Sequence, residues 1–186
     1  MTQTKKPNDI ILKSTRGLLI FAKWMLVLGV GALAAALPVL LFSYRQLLAE
    51  MGEIFVSQPA PETVGLIGIL MFLGAVIMLL TLFAINRLRK IVDSVGEGNP
   101  FTRINGTRLR GMGIAVFAIQ LVTFVGSLLA TGLLTMLGEV KPGQDFHLSI
   151  DGSISLSGIL LVLLLIILAR VFDSGAKMQE ELEGIV

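Results

Sequence analysis

No cysteine occurs anywhere in the chain, which excludes disulfides, thiolate metal sites and cysteine nucleophiles. Charge is scarce as well. Asp, Glu, Lys and Arg make up 15% of the 186 residues, against about 25% in a soluble domain. Hydrophobic residues make up 54%. So few charges cannot cover a water-facing surface, and a bilayer must solvate much of the chain. A further absence narrows the function. No Asp, Glu, His, Lys or Arg stands in the deep part of any long apolar run. Proton relays and ion-coupled carriers depend on such residues. An intramembrane hydrolase needs a Ser-His or Asp-Asp arrangement at that depth. The pattern points away from a pump and away from an enzyme.

What is present is four apolar stretches, at about 24–43, 64–85, 113–137 and 157–172. A helix needs about 20 apolar residues to cross roughly 30 Å of hydrocarbon. The ten-residue alternation of a membrane barrel is missing, so these stretches read as helices. The expected fold is all-α: one membrane domain over 1–186, built as a bundle of four transmembrane helices. The first stretch continues past Ala34, Ala35 and Ala36 through Pro38 to Phe42, longer than the core of a cleaved signal peptide, which favours an uncleaved span.

Orientation follows from where the cations stand. Of the 15 Lys and Arg residues, Lys5, Lys6, Lys13, Arg16 and Lys23 precede the first span. Arg87, Arg89, Lys90, Arg103, Arg108 and Arg110 lie in the central loop 86–112, and Arg170 and Lys177 follow or end the fourth span. Only Arg45 and Lys141 fall in the other two loops. Lys and Arg collect on the cytoplasmic side. Both termini and the central loop are therefore expected in the cytoplasm.

Local signals refine this outline. Gln46 to Phe55 reads as a helix lying at the outer interface. The second span lacks a breaker until Gly96, so its helix should run to about Val95; Gly96 and Gly98 can end it, with Asn99-Pro100 in the turn. A second helical run carrying Arg108 and Arg110 then leads into the third span. Asp145 to Ser157 reads DFHLSIDGSISLS, and Asp-Gly between alternating runs is a strong hairpin signal. A small β-hairpin is expected in that second outer loop, with the fourth helix starting near Ser157. The single histidine, His147, stands in this loop and reads as an exposed strand residue, not a metal ligand.

The third span carries Gln120, Thr123, Ser127, Thr131 and Thr135 at spacings of 3, 4, 4 and 4, which sets them on one side of a helix. Polar packing between helices accounts for such a stripe; a hydrated pathway or ligand groove is the sharper alternative. The basic residues of the central loop could bind anionic lipid or nucleic acid, but topology alone accounts for them, and direct binding of nucleic acid is not expected. Its GEGNP turn is no phosphate loop, because no Gly-Lys-Ser/Thr follows. A motif recurs across the chain. Lys90-Ile91-Val92-Asp93-Ser94 and Arg170-Val171-Phe172-Asp173-Ser174 both read base, two apolar residues, Asp, Ser. In each, base and acid are three apart and can pair on a helix.

The blocks RLRKIVDSVGEGNPF (87–101), RLRGMG (108–113) and LARVFDSGAKMQEELEGIV (168–186) resemble those of a prokaryotic four-helix membrane family called domain of unknown function 2975. Gly106 departs from the more charged turn of many relatives and weakens the start of the next helix. The resemblance implies no known activity and implies the inner membrane of a prokaryote; no cofactor is expected. Genes of such proteins often neighbour genes for small helix-turn-helix regulators, which implies a membrane partner for a cytosolic DNA-binding protein. The expected docking face comprises Arg87, Arg89, Lys90, Asp93, Asn99, Pro100, Phe101, Arg170 and Asp173. The alternative is a small-molecule or lipid carrier or channel using the stripe from Gln120 to Thr135. Self-association as a homo-oligomer is left open.

Overall fold

A computed structural model describes residues 8–56, 59–142 and 153–183. Among them are five helices: α1 (Asn8–Phe42), α2 (Tyr44–Ile54), α3 (Pro61–Gly96), α4 (Arg103–Leu137) and α5 (Leu156–Glu183). All but α2 are long and apolar enough to cross a membrane. Many of their large apolar side chains are exposed, among them Leu28, Leu41, Phe42, Phe72, Leu163 and Ile167. Water would not tolerate that surface and lipid does. The chain is a multi-pass membrane protein.

The helices outrun the apolar windows read from sequence. The fourth window was read as ending at Phe172. Instead α5 runs on to Glu183, 28 residues from end to end, about 42 Å at 1.5 Å per residue. Arg170 thus stands well inside the helix. At the other end, the β-hairpin expectation is corrected. Its first arm and Asp-Gly turn lie outside the described residues. Ile154, in its second arm, is not in a strand, and Leu156 already belongs to α5. No strand occurs among the described residues; the nearest approach is an isolated bridge between Phe55 and Val140. The physical reason is a helix cap. Ser155 Oγ accepts from the Gly158 amide at 3.3 Å, and its carbonyl accepts from the Ile159 amide at 3.1 Å. Serine before an apolar run is a strong helix start, and it overrides the local alternation.

Two compact units divide the chain. One combines the described parts of 28–79 and 120–154. Here α1 packs on α3 through small residues: a Cβ at Gly29 would lie 3.0 Å from Met78 Sδ. Leu73 likewise reaches Gly126 of α4. Buried Phe55, Leu133 and Leu137 gather Leu66, Ile67 and Leu70 around them. The bridge is closed by Val56 N–H to Glu139 O and Lys141 N–H to Ile54 O, each 2.9 Å. Lys141 Nζ donates to Gly52 O at 2.7 Å.

The other unit combines the described parts of 1–27, 80–119 and 155–186. Its core is Ile91, Leu109, Met112, Leu165 and Ala169. Ala169 is fully buried, and Gly113 faces Val162, Leu165 and Ile166, so α4 and α5 approach closely. Between α3 and α4 the chain turns through Gly98 at φ +82°. There the Asn99 amide returns to Ser94 O and the Gly98 amide to Val95 O, both at 3.1 Å. A left-handed glycine closing the last carbonyls of a helix is what the Gly96/Gly98 reading expected.

Candidate functional site

The polar residues of this second unit form a connected assembly centred on Asn105, in the first turn of α4. Asn105 is fully buried. Its Nδ2 donates to Ser94 Oγ at 2.6 Å and to Pro100 O at 2.8 Å, and its Oδ1 accepts from Arg108 Nη1 at 2.8 Å. Arg108 Nη1 also donates to Lys90 O at 3.0 Å. One amide thereby ties the end of α3, the turn and the start of α4 into a single arrangement. Asn105 itself is buried while Ser94, Pro100 and Arg108 are half-buried, so breaking one of these bonds leaves a polar group only partly open to water.

Phe101 fastens the turn to α5. Its ring lies 5.4 Å from that of Phe172, tilted by 50°. It also lies over Gly175, where a Cβ would meet Phe101 Cδ1 at 2.6 Å. Two more glycines serve the same purpose. A Cβ at Gly111 would meet Arg87 Nη1 at 2.6 Å, and one at Gly106 would overlap the Asp173 carboxylate. Helix-interior glycine costs about 1 kcal/mol relative to alanine; here the backbone admits a side chain from another helix or, at Gly175, from the turn.

Ion pairs complete the assembly and differ from the local pairing that the repeated motif suggested. Asp93 pairs with Arg16 of α1 at 2.5 Å and with Arg89 at 3.9 Å, not with Lys90. Asp173 pairs with Arg110 of α4, not with Arg170. Arg103 pairs with Glu180 at 2.6 Å. The two aspartates therefore link helices, whereas the local scheme would have braced only one each. Arg103–Glu180 is largely exposed and contributes about 0–1 kcal/mol.

Two clefts flank the assembly. One, of about 480 Å³, lies between α3 and α4 and is lined by Phe83, Asn86, Arg87, Lys90, Ile104, Thr107 and Arg108. The other, of about 670 Å³, runs along α5 beneath Phe101 and includes Arg170, Val171, Ser174 and Met178. Of the expected docking residues, Arg87 and Lys90 line the first and Phe101 and Arg170 the second. Arg89 and Asp93 stand with Arg16 and Glu97 in a shallower depression. Asn99 is exposed, Pro100 lends its carbonyl to Asn105, and Asp173 is paired.

The intramembrane stripe of α4 belongs to the other unit. Ser127 is buried and its hydroxyl donates to Phe124 O at 2.7 Å. Thr131 donates to Ser127 O at 2.9 Å and Thr135 to Gly132 O at 2.7 Å. Thr123, Thr131 and Thr135 are exposed, and Gln120 is half-buried. The hydroxyls of Ser127, Thr131 and Thr135 thus satisfy themselves on their own helix. Among the described residues, no group of three or more His, Asp or Glu could hold a metal ion; His147 lies outside them.

Sequence reasoning missed Asn105, Ser94, Arg16 and Arg110 as parts of the site. Asn105 carries no periodic signal. The glycines did: Gly106, Gly111 and Gly175 interrupt otherwise helical, charged stretches, and each marks a side chain arriving from elsewhere.

The family model described as a protein of unknown function, DUF2975, matches residues 49–186, which takes in α3, α4, α5 and the whole α3–α4 turn. No curated protein and no solved structure matches the chain.

Proposed function

We propose, from the premise that the chain belongs to the DUF2975 family of proteins of unknown function, that it is a non-enzymatic membrane protein whose cytoplasmic face docks a cytosolic protein. In this reading the termini and the α3–α4 turn lie in the cytoplasm, as the bias of Lys and Arg suggests. The partner is a small helix-turn-helix regulator, the class that the family resemblance implies.

One observation carries the reading: the α3–α4 turn is held in place. Topology asks only that cations lie on the inner side; it does not ask that their loop be ordered. Here a fully buried Asn105 and a stacked Phe101 fix the turn. Held this way, the turn and the neighbouring parts of α4 and α5 present apolar and cationic groups together, with Phe101 43%, Ile104 63% and Met178 64% exposed. Aromatic residues, Met and Arg are enriched at protein interfaces, and pre-organisation lowers the entropic cost of binding.

Photo-crosslinkers placed at positions 101, 170 and 139 of the full-length protein in native membranes test this. A cytosolic protein captured at 101 and 170 but not at 139 is the expected result. Capture of nothing at 101 and 170, or equal capture at 139, refutes it.

A further inference from the structure

The geometry points to a binding site for the phosphodiester headgroup of an anionic lipid, in the cleft formed by Arg87, Lys90 and Arg108. Among the described residues, the carboxylates that form ion pairs engage Arg16, Arg89, Arg103 and Arg110. None engages the three cations of this cleft. Three uncompensated positive charges facing one space of about 480 Å³ repel one another until an anion enters.

Two of the three are already oriented. Arg108 commits Nη1 to Lys90 O and Asn105 Oδ1, which leaves the N–H groups of Nε and Nη2 for a ligand. Arg87 lies over the Phe83 ring at 4.2 Å and donates Nη1 to Thr107 O at 3.4 Å. Guanidinium forks fixed in this way suit phosphate oxygens, while exposed Lys90 adds a movable point charge.

A lipid is favoured over a free phosphate by the depth of the cleft and by its walls. Along α3 it runs from Phe83, in the apolar stretch, to Lys90, in the charged one. That is about 10 Å of helix, the depth of a headgroup region. Phe83 and Ile104 supply an apolar wall, with 42% and 63% of their surfaces exposed. A phosphate with acyl chains below it satisfies both parts, and a soluble anion only one. Basic pockets between membrane helices bind anionic headgroups by this combination. The inference does not rest on the docking reading, since a lipid can fill the cleft whether or not a protein binds.

The test uses the full-length protein in neutral detergent, with native mass spectrometry and thermal unfolding as readouts. The probes are phosphatidylglycerol, phosphatidylcholine and inorganic phosphate. Phosphatidylglycerol should be retained and should raise Tm, while the other two leave Tm unchanged. Lys90→Gln, at an exposed side chain outside any ion pair, should weaken phosphatidylglycerol about five-fold. Lys177→Gln removes the same charge elsewhere and should weaken nothing. Equal retention of phosphatidylcholine, or equal losses from the two lysine variants, would overturn the site. Stabilisation by inorganic phosphate as large as that by phosphatidylglycerol would overturn its assignment to lipid.

Discussion

Gly106 of α4 lies against the carboxylate of Asp173 of α5, so closely that a methyl group at 106 would overlap it and would also stand 3.2 Å from Ala169 O. The same carboxylate pairs with Arg110, one turn further along α4. A glycine that weakens a helix by propensity is thus the point where two helices meet.

This contact decides the sign of a simple substitution. Helix propensity alone predicts that Gly106→Ala stabilises by about 1 kcal/mol. Overlap with Asp173 predicts destabilisation of about 1–3 kcal/mol. Thermal unfolding in detergent separates the two, and a Tm below that of the parent is expected.

Asn105→Ala removes the amide that joins Ser94, Pro100 and Arg108. With three hydrogen bonds lost to half-buried partners, a loss of about 1–2 kcal/mol is expected. Limited proteolysis should then cut near 97–104, where the parent resists. An unchanged digestion pattern would mean that the turn is held by something else.

Phe101→Ala should cost about 0.5–1.5 kcal/mol through its lost contact with Phe172, a modest effect on folding. Cytosolic capture at position 170 should fall much further than stability does. Parallel small losses in both would assign Phe101 to packing alone.

In the stripe of α4, Thr131→Ala and Thr135→Ala should each shift stability by no more than about 0.6 kcal/mol, because their hydroxyls donate to their own helix. Detergent unfolding measures this. A larger loss would mean that these residues hold another helix or a ligand.

The helices were legible because their signals are local. Apolar length marked the spans, the missing breaker before Gly96 extended α3, and Gly98 closed it. The hairpin reading failed for an equally local reason: alternation around Ile154 competed with a serine cap at 155, and the cap began a long apolar helix. The expected face included Arg87, Lys90, Phe101 and Arg170 but lacked Asn105, Ser94, Arg16 and Arg110, and the connections were not legible at all. Lys90-Ile91-Val92-Asp93 suggests a bond within one helix, whereas Asp93 reaches back to Arg16, across a separation that no short pattern encodes. Asn105 looked like any polar residue near a helix start, and only packing shows that it is buried.

The account stands or falls on which side of the membrane the ordered turn faces, and the absence of native cysteine makes that measurable without background. Single cysteines at the exposed positions Glu97 and Glu139 can be labelled in intact cells with a membrane-impermeant maleimide. Position 139 should react from outside and position 97 only after the membrane is opened. Labelling of position 97 in intact cells, or of both positions from one side, would contradict the account.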